Sequence, residues 1–83
     1  MPTYNLTGVR EDGTLMFAPI AYTDAAEAAA EFARGVMAGT VASAERLADQ
    51  AALIRTVITR PDTCGVETVN PLTRWTVVLT KTD

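Results

Sequence analysis

The chain has 83 residues, of which 48% are hydrophobic and 20% are charged. This composition is typical of a globular protein rather than a disordered segment, and the length predicts a single domain, residues 1–83, with a modest core. Ten acidic side chains against seven basic ones give a formal net charge of −3. That charge disfavours direct binding to nucleic-acid phosphates and favours a protein partner with a basic surface.

Two further compositional facts limit location and chemistry. No apolar run reaches the roughly 18 residues of a membrane span, and the opening MPTYNLTG lacks the basic and apolar regions of a signal peptide. We therefore expect a cytoplasmic protein without a membrane partner. The chain has one cysteine, Cys64, and no histidine, so an internal disulfide is excluded and a structural metal or other cofactor is not expected.

The first elements form a predicted hairpin. Residues 3–10 alternate in polarity, with Tyr4 and Leu6 on one face, as in a half-buried strand. Asp12 and Gly13 are typical of a tight turn between paired strands. Residues 14–22 are then expected to return antiparallel, although they are apolar on both faces and Pro19 belongs at an edge or bulge.

An alanine-rich helix is predicted over residues 23–39. Asp24 and Glu27 have the spacing of a capping box, and Gly39 is a typical helix stop. Phe32 is the only large side chain on the apolar face, so we expect the helix backbone to lie close to a sheet.

A second helix is predicted from about residue 41 to residue 52, capped by Thr40 or Ser43. The following residues, 53–60, are ambiguous. Ile54 and Ile58 would continue a helical stripe, but the stretch is rich in β-branched residues, which favour strands. We predict a strand there.

The last third of the sequence is predicted to form a second hairpin. Residues 61–65 contain proline, aspartate and glycine and should break the chain. Strands over residues 65–69 and 74–82 flank a turn at Asn70 and Pro71, with Trp75, Val77 and Leu79 facing the core. The predicted fold is therefore α+β: an antiparallel sheet of four to five strands with one or two helices on one face, in the order ββααβββ.

No set of residues in the sequence is typical of a catalytic site. Cys64 is the one strong nucleophile, but it has no histidine base and lies near Asp62, so we interpret it as an incidental loop thiol. Acidic pairs on common helix faces have the residue types of acid–base catalysis, yet capping, the helix dipole and pairing with Arg34 explain them more simply. Phosphate-binding and dinucleotide motifs are absent. We expect a protein with no catalytic residues.

Two aromatic residues admit a second interpretation. Trp75 and Tyr22 would serve as base-stacking platforms on an exposed sheet, as in several RNA-binding folds. The sequence lacks the basic surface that such a site needs. We therefore favour a core position for Trp75.

The acidic side chains instead form the candidate partner-binding surface. Carboxylates on a rigid scaffold can stand in for backbone phosphates and speed capture of a protein that normally binds nucleic acid. The seven residues assigned to this surface are Glu11, Asp12, Asp24, Glu27, Glu31, Glu45 and Asp49.

The layout of the first half resembles that of small proteins carried by phages and mobile elements, including some anti-CRISPR proteins. The resemblance rests on a strand beginning near Tyr4, a turn, a strand ending in Ala21-Tyr22-Thr23-Asp24, and an Ala/Glu helix. It implies a non-catalytic inhibitor in the bacterial host cytosol. Such an inhibitor would block a CRISPR effector or another nucleic-acid-binding complex sterically or through its acidic surface.

The sequence leaves two other functions open. One is a small ligand-binding or enzymatic α+β domain with a pocket between helix and sheet. The other is a homo-oligomeric phage structural or accessory protein, with a homodimer formed through the threonine-bearing outer face of the sheet.

Overall fold

Four antiparallel strands form one sheet in the order β2-β1-β4-β3. The computed structural model describes residues 1–82. The elements in chain order are β1 Thr3–Val9, β2 Ile20–Tyr22, α1 Ala25–Met37, α2 Ala44–Ile58, β3 Gly65–Val69 and β4 Thr76–Thr82. The predicted α+β class is confirmed, with four strands and two helices.

The two chain ends meet in the centre of the sheet, because β1 pairs along its whole length with β4, from Thr3 opposite Thr82 to Val9 opposite Thr76. The alternation of β1 and β4 places every second side chain under the helices. The buried cluster formed there combines both helices with both central strands: Tyr4, Leu6, Ala28, Phe32, Ile58, Val77 and Leu79. The predicted roles of Tyr4, Leu6, Val77 and Leu79 are confirmed.

Helix α1 has the predicted cap and apolar face. The side chain of Asp24 accepts a hydrogen bond from the amide of Ala26 at 3.0 Å, which satisfies one of the free amides at the helix start. Phe32 is 1% exposed. Gly39 follows the helix with φ of 81°, a conformation that favours glycine.

The prediction of a strand over residues 53–60 is wrong. Ser43 caps α2 and accepts from the amide of Arg46 at 3.1 Å, and the helix then continues to Ile58. Ile54 and Ile58 are one helical turn apart and both pack on the core. Their burial outweighs the weak strand preference of the β-branched residues around them.

The second predicted strand is mostly not a strand. The turn at Gly13 forms, with φ of 89°, and Val9 pairs with Leu15 in an isolated bridge. Regular pairing then stops and resumes only at Ile20. Pro19 has no amide hydrogen to donate to a ladder, so the intervening residues lie across the sheet instead of extending it.

The prediction that Trp75 lies in the core is also wrong, since its exposed fraction is 38%. Strand β4 begins at Thr76 rather than at residue 74, because Arg74 takes a left-handed backbone conformation with φ of 67°. The extended geometry of β4 therefore begins only after Trp75. The side chain is thereby placed at the border of the helix-covered face.

Candidate functional site

The candidate site is an apolar groove between α1 and residues 14–22. Gly8 of β1 and Val77 of β4, which pair in the sheet, both line it. On the helix side, Gly35 lets the backbone come close, because a Cβ there would lie 3.2 Å from Cγ1 of Val77. Small residues thus determine how near the helix approaches the sheet.

The outer wall of the groove, formed by residues 14–22, is attached to β1 by two hydrogen bonds. The amide of Met16 donates to the carbonyl of Gly8 at 2.8 Å, and the hydroxyl of Thr7 donates to the carbonyl of Phe17 at 2.8 Å. A Cβ on Gly8 would lie only 2.9 Å from Sδ of Met16 and 3.3 Å from Cε1 of Phe17. The wall can therefore rest on β1 because position 8 carries no side chain.

The groove encloses a cavity of about 310 Å³. Phe17 and Ile20, which line it, are 39% and 47% exposed, and Trp75 is 38% exposed. Leu15 is also exposed, but it pairs with Val9, which lies on the sheet face opposite to Leu6 and Gly8, so its side chain is directed away from the groove. The large apolar side chains that line the cavity therefore remain partly open to solvent.

Charged groups border the groove on its helix side. Glu31 and Arg34 both line the cavity and form an ion pair one helical turn apart. Partial desolvation, followed by the nearby carboxylates of Glu31 and Glu27, raises the pKa of Tyr22 above its usual value, while Arg34 opposes that shift. Each of the two carboxylates therefore has a larger electrostatic effect on the Tyr22 phenol than Arg34 has.

The two acids of the first turn serve local roles. Oε1 of Glu11 lies 3.8 Å from Nε of Arg74, and both side chains are well exposed, so the pair contributes little to stability. Oδ1 of Asp12 accepts from the hydroxyl of Thr14 at 2.7 Å and from its amide at 3.0 Å. These hydrogen bonds lower the pKa of Asp12.

The acids of α1 divide between capping and the groove. Asp24 is occupied as the helix cap. The side chain of Glu27 makes no hydrogen bond or ion pair within residues 1–82, so the predicted return contact of a capping box does not form there. Glu27 and Glu31 are the two predicted acids that act on Tyr22.

The acids of α2 are not part of the same site. The residues of α2 that face α1 across a shallow concavity are Ala44, Leu47, Ala48 and Ala51. Glu45 and Asp49 are both exposed and lie outside that face. The predicted acidic surface is therefore divided, with Glu27 and Glu31 beside the groove and the acids of α2 directed elsewhere.

Other candidate chemistry is sparse in the described part of the chain. Cys64 is an exposed free thiol, and residues 1–82 contain no group of three or more potential metal-ligating side chains. Within the same residues, neither helix has the length and apolar character needed to cross a membrane.

A larger concavity of about 380 Å³ lies over β3 and β4, beside Cys64. Its lining is largely strand backbone and small side chains, including Gly65 and Thr80. Aromatic anchors of the kind that dominate binding surfaces are absent from it, whereas the groove beside α1 has three. We therefore take the groove as the better candidate.

Comparisons of this chain with protein-family models, with curated proteins and with solved structures found no match.

The sequence left open a pocket between helix and sheet but did not identify the residues of the groove, because they come from separate segments that meet only in the folded chain. Gly8, Phe17 and Trp75 have no common sequence pattern. One local signal was present: residues 14–22 are apolar on both faces and contain Pro19. A strand at the edge of a sheet with one covered face cannot bury both sets, so some of these side chains had to remain exposed.

Proposed function

We propose that this protein is a non-catalytic binding domain that docks a protein partner through the groove between α1 and residues 14–22. The observation that carries the proposal is the group of partly exposed apolar side chains that line the groove: Phe17, Ile20 and Trp75. Exposed tryptophan and phenylalanine are typical of the anchors of protein interfaces.

The extent of this surface favours a protein over a small molecule. A small ligand would fill the cavity, but it would leave the outer sides of Phe17, Ile20 and Trp75 in water. A partner surface covers both the cavity and its apolar surroundings and so gains the larger hydrophobic contribution.

A binding experiment with matched variants tests the proposal. The tagged protein is immobilised and exposed to a bacterial lysate, in parallel with Phe17→Ser, Trp75→Ser and the control Leu53→Ser. Leu53 is 63% exposed on α2, away from the groove. We expect a protein that is retained by the wild type and by the control but lost with both groove variants. Equal recovery by all four would reject the groove as the contact surface.

The acidic side chains indicate which class of protein the partner belongs to. We propose a partner with a basic surface, and we extend this to inhibition of a nucleic-acid-binding defence complex such as a CRISPR effector. The support is the net charge of −3 and the electrostatic effect of Glu27 and Glu31 on Tyr22, which lines the groove.

Reversing Glu27 and Glu31 to lysine separates the electrostatic contribution from the apolar one. We expect weaker binding to the captured partner and a smaller salt dependence. Unchanged affinity would reject the acidic contribution, whereas docking through the apolar groove would stand.

A small-ligand site is the second candidate, because a cavity of about 310 Å³ is at the lower end of the range for ligand pockets, roughly 300 Å³ and above. A metabolite screen by thermal denaturation tests it, since a ligand that binds only the folded state raises the melting temperature. A hit whose effect is lost in Trp75→Ser would favour this function over protein docking.

A further inference from the structure

The groove runs along β1, and its two ends lie near the two ends of that strand. Tyr22 pairs with Tyr4 near the start of β1. Trp75 directly precedes β4, next to the pair formed by Val9 and Thr76. The interval from Tyr4 to Val9 corresponds to roughly 17 Å of strand, which exceeds the reach of a single side chain, so in a protein partner the part that touches both ends is a segment of chain.

The Tyr22 end is acidic and aromatic. Tyr22 and Glu31 line the same cavity, and Glu27, one turn earlier on α1, also acts electrostatically on the phenol of Tyr22. A cation at this end can contact the face of the tyrosine ring and pair with a carboxylate at the same time.

Glu31 already pairs with Arg34 of its own helix, but that pair is easily exchanged. The side chains of Arg34 and Glu31 are 64% and 35% exposed, and such pairs contribute only about 0.2–1 kcal/mol. A cation brought by a partner therefore competes with Arg34 for the same carboxylate.

The Trp75 end differs in chemistry. Met16, Phe17 and Trp75 line it, and all three present apolar surface. A charged group buried here would lose its hydration, whereas an apolar side chain would bury its surface against these three residues, so an apolar side chain is the better occupant.

We infer that the groove binds a segment of a protein partner that places an arginine at the Tyr22 end and an apolar side chain at the Trp75 end. The inference rests on the proposed function and gives the bound segment a direction. Arginine fits better than lysine because its planar guanidinium stacks on an aromatic ring and pairs with a carboxylate through two hydrogen bonds.

The acidic end is tested with a probe that imitates the arginine side chain. The ¹⁵N-labelled protein is titrated with n-butylguanidinium and, separately, with neutral n-butylurea. We expect n-butylguanidinium to produce saturable chemical-shift changes at the backbone amides of Tyr22, Glu27 and Glu31. We expect n-butylurea to produce none there, because it lacks the charge.

Two substitutions should change this binding in opposite directions. Glu31→Gln removes the pairing carboxylate and should weaken n-butylguanidinium binding roughly three- to fivefold. Arg34→Gln removes the competing cation and should strengthen it by a similar factor. Glu45→Gln on α2 removes the same charge away from the groove and should leave the affinity unchanged.

Several outcomes would overturn the inference. Equal shifts with n-butylurea, no shifts with either probe, or an unchanged affinity in Glu31→Gln would show that the Tyr22 end does not select a cation. If Phe17→Ser and Trp75→Ser still abolish partner capture in that case, the proposed function stands and only the direction is rejected. Cation binding as expected, but with partner capture unaffected by the groove variants, would identify a small-molecule cation site and reject protein docking.

Discussion

The side-chain amide of Asn70 donates a hydrogen bond of 3.0 Å to the carbonyl of Gly35, which ties the turn between β3 and β4 to the last turn of α1. A second bond of 2.9 Å runs from the same nitrogen to the carbonyl of Ala38. On its other side, Oδ1 accepts from the amides of Leu72 at 2.9 Å and Thr73 at 3.1 Å. One buried side chain thus satisfies four backbone groups and fixes the end of α1 against the turn that precedes Trp75.

Replacing Asn70 with alanine should destabilise the fold strongly. Asn70 is 1% exposed, so its loss leaves backbone donors and acceptors without partners in a water-poor site, at an expected cost of roughly 2–4 kcal/mol. The measurement is urea denaturation followed by circular dichroism. Thr68→Ala on the exposed part of β3 is the control, and a cost for Asn70→Ala no larger than that of the control would contradict this role.

Two glycine substitutions should differ according to what surrounds them. A Cβ on Gly65 would lie 2.6 Å from the backbone oxygen of Leu79, which cannot move without disturbing β4. Gly65→Ala should therefore cost roughly 1–3 kcal/mol. A Cβ on Gly8 would meet Sδ of Met16 and Cε1 of Phe17, which are side-chain atoms that can move, so Gly8→Ala should cost less than Gly65→Ala. Comparison of the two thermal transitions tests this order, and the reverse order would contradict it.

The helical path of residues 53–58 gives a third prediction. Ile58 is 0% exposed, whereas Leu53 is 63% exposed. Ile58→Ala should cost roughly 2–5 kcal/mol because it leaves a cavity in the core, and Leu53→Ala should change stability by less than about 0.5 kcal/mol. Equal effects in chemical denaturation would be incompatible with this helix register.

Residues 53–58 also show the limit of prediction from the sequence alone. The spacing of Ile54 and Ile58 was visible in the sequence, but so was the β-branched character of the stretch, and local preferences did not decide between them. The outcome depends on the surface that α1 and β3 present to α2, which is a tertiary fact. By contrast, Asp12-Gly13 and the cap at Asp24 are governed by local geometry, and both were correctly predicted.

The prediction of a core position for Trp75 was wrong for a related reason. Alternation with Val77 and Leu79 correctly identified the face of the sheet, but not where that face ceases to be covered by α1. The left-handed backbone of Arg74 has no signature in the sequence, because non-glycine residues adopt it rarely. The groove depends on this position and on Gly8, so it could be recognised only from the fold.

Asp12 provides a prediction on pH. The hydroxyl of Thr14 is the largest cause of the lowered pKa of Asp12, so Thr14→Val should raise that pKa towards its usual value. Because the pKa is lowered in the folded state, the contribution of Asp12 to stability is present above its unfolded pKa and is lost as pH falls through the folded one. Carboxyl chemical shifts followed by NMR between acidic and neutral pH measure both values. No change in the pKa of Asp12 in Thr14→Val would contradict the assignment.

The docking groove is tested most directly by site-specific photo-crosslinking in a bacterial host. A photoreactive phenylalanine analogue replaces Phe17 in one sample and Leu53, on the exposed side of α2, in the other. The groove predicts a covalent adduct with one protein from position 17 and none with that protein from position 53. The same adduct from both positions, or from position 53 alone, would contradict the groove as the site where the partner docks.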